Sequence, residues 1–352
     1  MSDSCRDLVA HRDRIVSSRD RLTIFVRWRI RVSMKDAIGV GALNLDLIYR
    51  VEDLRIGGRK FTPGGEIIGS AGEFSGIVKE LERHGKLIMK SGGGSAANCM
   101  YALGRMGFSV GELGMVGHDD QGDFLLASME PVDTSRVKRF NGTGLAISMV
   151  AKNDRSLLIL SNANDWFYVN EKDLEYVREA KVVHMTSFVA GSGIDNQKII
   201  AASMDRDAIL SFDPGEIYAR KGIDRLRPLI ERTNIVLLSD REAQMLTGME
   251  PLAGCRKLME MGPEMVACKM GGKGSTIVTR EGETFIKARK TKVVDKTGAG
   301  DAYDAGFLAG ILMNWSPDRC GEFATLSAAK SISSNGREGY PDEMTLRDFS
   351  EG

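Results

Sequence analysis

Asp301 ends the run Asp295-Lys296-Thr297-Gly298-Ala299-Gly300-Asp301, which sets a carboxylate directly after three small residues. Residues Ala302 to Met313 carry apolar side chains at helical spacing, so the glycines fall where a loop becomes a helix. N–H groups there lack intrahelical acceptors and stand at the positive end of the helix dipole. Gly298, Ala299 and Gly300 are thus candidates to hold a transferring phosphoryl group. Asp301 beside that group is a candidate general base, taking the proton of an attacking hydroxyl. A loop closed by an Asp N-cap accounts for the same residues without any chemistry.

A second run, Ser91-Gly92-Gly93-Gly94-Ser95-Ala96-Ala97-Asn98, precedes an Ala- and Leu-rich helical segment reaching Gly107. Gly93 and Gly94 let a ligand approach the backbone, and Asn98 offers a donor and an acceptor to a hydroxyl; tight helix packing is the plainer alternative. Upstream, the apolar stretch from Ile38 reads as a strand ending in the polar residues Asn44 and Asp46, which could grip a polyol.

Taken together and in this order, the segments resemble the ribokinase family, also called the PfkB carbohydrate kinases, from about Ala37 to about Pro341. The family's Gly-x-x-Asn-x-Asp is matched by Gly41, Asn44 and Asp46, and its Gly-Gly-x-x-x-Asn by Gly93, Gly94 and Asn98. The resemblance implies substrate contacts for Asn44, Asp46, Gly93, Gly94 and Asn98. Its Asp-Thr-Thr-Gly-Ala-Gly-Asp signature is matched at all positions but one, where Lys296 replaces Thr. The Asn-x-x-Glu motif, which implies organisation of Mg²⁺ and nucleotide phosphates, stands here as Ser239-Asp240-Arg241-Glu242, with Glu242 acting on the metal through water. Lys269, Gly271 and Gly274 resemble the nucleotide loop, although a plain hairpin turn fits them as well. In the segment that lines the adenine and monovalent-cation sites, Ser333 and Ser334 stand for Thr and Arg, and Arg337 for Ala. Asn335 is a nucleotide candidate there, and Asp295 a candidate K⁺ ligand.

The remaining pattern must position these groups. β-like runs at Ala37–Gly41, Val110–Val116, Lys181–Thr186, Ala208–Asp213, Ile235–Ser239 and Met265–Lys269 alternate with helical stretches. This α/β cadence predicts a ribokinase-like, mostly parallel central sheet with helices on both faces. Asp213 and Glu242 fall at or just past strand ends, where such sheets bind ligands. Alternating segments within 47–61 and 143–160 read as small antiparallel strands, which the resemblance implies form a β-sheet lid that excludes water and could pair two copies into a homodimer. Residues 63 to 90 read as an insertion of unknown purpose, with a helix over 73–84 near the lid. Asn164, just after the lid, could contact substrate or serve a polar turn.

Composition narrows the classes. Among 352 residues, 48 Lys and Arg balance 48 Asp and Glu, so the basic footprint of a nucleic-acid binder is missing. No apolar run approaches the ~20 residues of a membrane span. Cys5, Cys99, Cys255, Cys268 and Cys320 are scattered, with neither the spacing of a zinc site nor that of a disulfide framework. A cytoplasmic location is expected. Residues 1–33 carry eight Arg against four Asp, a net +4 that leaves −4 for the rest. They are expected to be an extension outside the 34–352 kinase domain, either disordered or a gene-model artefact.

The expected reaction is nucleotide-dependent, ATP-using phosphorylation of a hydroxyl on a sugar or sugar derivative. The stretch Phe212-Asp213-Pro214-Gly215 resembles one seen in the family's sugar kinases, which tilts the expectation from nucleoside to sugar. A nucleoside kinase and a catalytically silent sugar-binding protein are the alternatives. A dinucleotide-dependent oxidoreductase is disfavoured, because Gly39-Val40-Gly41-Ala42-Leu43-Asn44 ends in Asn where Gly-x-Gly-x-x-Gly needs a third glycine.

Overall fold

The computed structural model describes residues 35–352 apart from Asn153. The expectation for residues 1–33 lies outside the described residues.

Eight strands form the main sheet, in the spatial order 282–287, 274–279, 265–269, 235–239, 209–212, 180–185, 35–40 and 110–113. The six strands expected from the sequence run parallel, and a C-terminal hairpin adds two antiparallel ones, Gly274–Thr279 and Gly282–Lys287. Successive side chains of one strand enter different cores. Ile235 and Leu237 belong to one apolar cluster, while Val236 and Leu238 belong to the other. Period-two pointing in a sheet covered on both faces requires this split, and it explains why these strands are continuous apolar runs without polar alternation.

A second sheet has five strands, in the order 66–69, 154–160, 144–151, 44–50 and 86–93. Three expectations change here. The first strand stops at Val40, and Asn44 opens a separate strand, Asn44–Arg50, so Asn44 and Asp46 belong to the second sheet. Gly41 to Leu43 form the break. Within 47–61, residues 55–56 and 59–60 form a small hairpin apart from both sheets. The 63–90 stretch supplies strand Glu66–Gly69, helix Ala71–His84 and most of strand Lys86–Gly93. That last strand was illegible because it lies at the sheet edge: Leu87 and Ile88 are both more than 40% exposed, which erases alternation.

Along Asn44–Arg50, Leu45, Leu47 and Tyr49 are buried while Asn44, Asp46 and Ile48 are only partly so, giving one apolar and one polar face. Helix Ala71–His84 is capped by the Ser70 hydroxyl, which accepts the Glu73 N–H at 3.2 Å. Its Phe74, Ile77 and Leu81 repeat every three to four residues and join the apolar cluster of Leu45, Leu47 and Tyr49. The second sheet's apolar face is thereby packed within the same chain. The opposite face carries Asn44 and Asp46 to the site.

Candidate active site

Helix Ala299–Leu312 is buried from Ala302 through Gly310, and its N-terminus opens onto the polar cavity described below. Gly298 takes a left-handed φ of 74°, and a Cβ there would collide with the Tyr340 hydroxyl, so glycine is needed on both counts. The Ala299 N–H donates to the Lys296 carbonyl at 3.3 Å, which corrects its expected place in the anion hole. Gly300 and Asp301 N–H groups have no backbone acceptor among the described residues and remain for an anion. Lys296 itself is exposed and lends the turn only its carbonyl, so its side chain replaces Thr without disturbing the site.

Asp301 is met by Asn98, whose Nδ2 donates to Oδ2 at 2.7 Å, across 203 residues of sequence. Burial raises the Asp301 carboxyl to about 6, against the lowering bonds from Asn98 and Ser95 and with added repulsion from Asp213. A carboxyl in this range can accept a proton near neutral pH.

A cavity of about 310 Å³ joins the three motifs: Asn44 and Asp46 from the second sheet, Gly94, Ser95 and Asn98 from the glycine run, and Gly298 and Asp301. Asn164 clamps its edge. Its Oδ1 accepts the Leu43 N–H at 2.9 Å and its Nδ2 donates to Asn44 Oδ1 at 3.1 Å, which turns the Asn44 amide nitrogen toward a ligand. Burial pushes Asp46 up to about 7, opposed by the Arg337 charge and reinforced by Asp301. Burial is thus the leading cause of the raised pKa at both carboxyls of this cavity. The glycines have reasons other than ligand approach: a Cβ on Gly93 would strike the Asp46 carboxylate, and one on Gly94 the Ala42 carbonyl.

The nucleotide candidates divide. Lys269 is buried and its ammonium is committed, donating to Asp213 Oδ2 at 2.8 Å and Asp304 Oδ1 at 2.9 Å. Burial favours its neutral form, but Asp213 and Asp304 outweigh that and hold it charged. It lies 3.6 Å from where a Gly300 Cβ would sit, so it places positive charge behind the anion hole instead of lining an open nucleotide loop. Ser239 and Glu242 form a reciprocal cap: the Ser239 hydroxyl accepts the Glu242 N–H at 3.2 Å, and Glu242 Oε2 accepts the Ser239 N–H at 2.7 Å. Burial, then the Asp213 charge, raises the Glu242 carboxyl. Gly271 opens a short 3₁₀ turn facing open space, whereas a Cβ on Gly274 would strike the Ile286 carbonyl, so Gly274 serves the hairpin. Asp295 accepts the Thr297 N–H at 2.9 Å and the Gly336 N–H at 3.2 Å, work that holds two loops together without a cation. Asn335 is exposed and lines a second, larger cavity apart from the 310 Å³ one.

Sequence inspection passed over three residues of this site. Asp304 lies one helical turn after Asp301, a spacing that places it on the same flank. Ser95 sat inside the recognised glycine run. Arg337 had been noted only as a departure from Ala, yet its Nε donates to Asn98 Oδ1 at 2.8 Å and completes a chain from Arg337 through Asn98 to Asp301. No group of three or more His, Cys, Asp or Glu able to hold a metal occurs among the described residues, and no helix there is long and apolar enough to cross a membrane.

The mostly parallel sheet, the N-terminus of the buried helix and the polar cavity beside it thus make up one candidate site. The chain matches the pfkB family carbohydrate kinase model over residues 65–342 and belongs to that family. An uncharacterized sugar kinase of Archaeoglobus fulgidus is 37% identical over 247 residues, 68% of this chain and 98% of the relative. A 5-dehydro-2-deoxygluconokinase of Clostridium botulinum is 28% identical over 73% of this chain and 83% of its own length. The fold is that of Arabidopsis thaliana ribokinase in complex with ribose and ATP, with a TM-score of 0.75 at 21% identity, covering 90% of this chain and 99% of that one. The protein is a carbohydrate kinase of the ribokinase-like fold.

Proposed function

We propose that the protein transfers the γ-phosphoryl group of ATP to a hydroxyl of a sugar held in the 310 Å³ cavity. The observation that carries this is the Asn98–Asp301 hydrogen bond, which sets a base of pKa about 6 between the polyol-binding face and the free N–H groups of Gly300 and Asp301. The acceptor hydroxyl lies against Asp301 and gives up its proton to that carboxylate as its oxygen attacks phosphorus. The bond from phosphorus to the bridging oxygen breaks, and the electron pair leaves with ADP. Gly300 and Asp301 N–H groups, with the Lys269 charge behind them, stabilise the transferring group. Asn44 and Asp46 on the second sheet roof the acceptor, and that sheet acts as a lid keeping water from the phosphoryl group.

Mg²⁺ fits this site in the outer-sphere mode: Mg²⁺ keeps waters and rests chiefly on phosphates, and Glu242 commits one oxygen to Ser239 while the other is left to bond a metal-bound water. Bound there, it would neutralise phosphate charge. Among the described residues no aromatic side chain lines the 310 Å³ cavity, so they offer a nucleobase no stacking platform, which favours a sugar over a nucleoside. The test is nucleotide consumption by the purified protein across sugars, sugar acids, sugar phosphates and nucleosides. Turnover confined to nucleosides would overturn the sugar assignment.

A further inference from the structure

Arg337 is placed as no structural arginine needs to be. Among the described residues its Nε is spent on Asn98, its Nη1 reaches only the Ser128 carbonyl at a long 3.4 Å, and its Nη2 is buried without a hydrogen-bond partner. It makes no ion pair with a carboxylate among the described residues. Its face rests on the Tyr101 ring, with the guanidinium carbon 4.8 Å from the ring centroid, which fixes the plane of the fork. A buried guanidinium with no carboxylate in contact is costly, since Asp46 and Asp301 act on it only at a distance, and its planar fork is shaped for carboxylate or phosphate.

The surroundings supply the space for such a partner. Arg337 lines a cavity of about 690 Å³, and its partner Asn98 lines the 310 Å³ acceptor cavity. The larger cavity also carries Lys90, Ser91 and Arg105. Gly92 of the edge strand packs directly against the guanidinium: a Cβ there would lie 2.5 Å from Ser128 Oγ and 2.9 Å from Nη1, so glycine is what lets Arg337 reach this position. Arg105 is held in place by donating to the Arg337 carbonyl at 3.1 Å, which couples the two basic residues through the backbone.

We propose that the phosphoryl acceptor is an anionic sugar, a sugar phosphate or sugar acid, whose anionic group is bound by Arg337 at the larger cavity while its hydroxyls lie against Asn44, Asp46 and Asp301. This rests on the kinase assignment above. It adds that Arg337 selects the acceptor by charge, a property that the neutral polyol contacts cannot supply.

The experiment compares kcat/KM for matched acceptors, a neutral sugar, its phosphate ester and its carboxylate, in wild type, Arg337→Gln and Arg337→Lys. Because Arg337 also touches Asn98, the informative quantity is the ratio of anionic to neutral kcat/KM, in which any shared loss cancels. The wild-type ratio is expected to exceed tenfold for one of the two anions; R337Q should lower it by about 100-fold and R337K by less, as befits a lost bidentate contact. Inorganic phosphate should raise the Tm of the wild type and not of R337Q, a readout independent of turnover that also registers whether the variant folds. A wild type that prefers the neutral sugar, or a ratio that R337Q leaves intact, overturns the subsite. If nucleotide is consumed with no acceptor at all, the kinase assignment fails, and the subsite is then decided by the phosphate-induced Tm shift alone: retained in wild type and lost in R337Q it stands, otherwise it falls.

Discussion

Replacing Asp301 by Asn removes the base while leaving the architecture in place. The variant amide can offer its carbonyl oxygen to Asn98 Nδ2, so the 2.7 Å bond that ties the two motifs has a substitute and folding should be preserved. Removing the charge also relieves the repulsion that Asp301 exerts on Asp46. What disappears is proton acceptance, which contributes roughly 10²- to 10⁴-fold, or about 3–5 kcal/mol of barrier at 1.36 kcal/mol per decade. D301N should therefore lower kcat at least about 100-fold with an unchanged Kd for nucleotide, measured by coupled ADP release and by calorimetry. The pH profile gives the second arm. With Asp301 raised to about 6, the base is ionised above that value, so wild-type kcat/KM should fall as pH drops through about 6. A D301N enzyme within tenfold of wild type, or one that keeps the acid limb near 6, would refute the assignment and turn attention to Asp46.

Asp46→Ala should raise the acceptor KM by roughly 5- to 150-fold, the equivalent of about 1–3 kcal/mol for a lost hydrogen bond, with the nucleotide KM unchanged. Asn98→Ala should act on kcat as well, and because its bond favours the ionised form of Asp301, the acid limb should move to higher pH in that variant. Lys269→Met leaves Asp213 and Asp304 buried without their cation and should destabilise the fold by about 3–5 kcal/mol, read by denaturant titration. That loss should deepen as pH rises, since Asp304, whose folded pKa burial raises, then ionises without its cation. Gly298→Ala forces a side chain into φ 74° against Tyr340 and should lower both Tm and kcat; an unchanged kcat would show that the turn's backbone does not shape the anion hole.

The helix start that carries Asp301 was legible because it is local. The Gly-Ala-Gly-Asp run can be read as a helix N-terminus from its own residues, and the six buried strands announce themselves as apolar runs of the right length. Elements whose apolar signal is weak were not legible. Lys86–Gly93 is an edge strand with exposed Leu87 and Ile88, and Gly282–Lys287 is exposed along most of its length, so neither carries a burial pattern.

Roles that depend on partners far along the chain were invisible for a different reason. Lys269 looked available to a nucleotide until the fold brought Asp213 and Asp304 within 3 Å of its ammonium. Gly93 looked like a ligand contact until Asp46 was found filling the space beside it. Arg337 is the sharpest case: 239 residues separate it from Asn98, and nothing near it in the chain forecasts a guanidinium lining a cavity with one nitrogen unpaired. Backbone conformation and strand burial follow from neighbours in sequence, and these the sequence determined by itself. Which buried charge meets which counter-charge, and which is left waiting for a ligand, depends on desolvation and Coulomb interaction across the assembled core, and that only the tertiary structure decided.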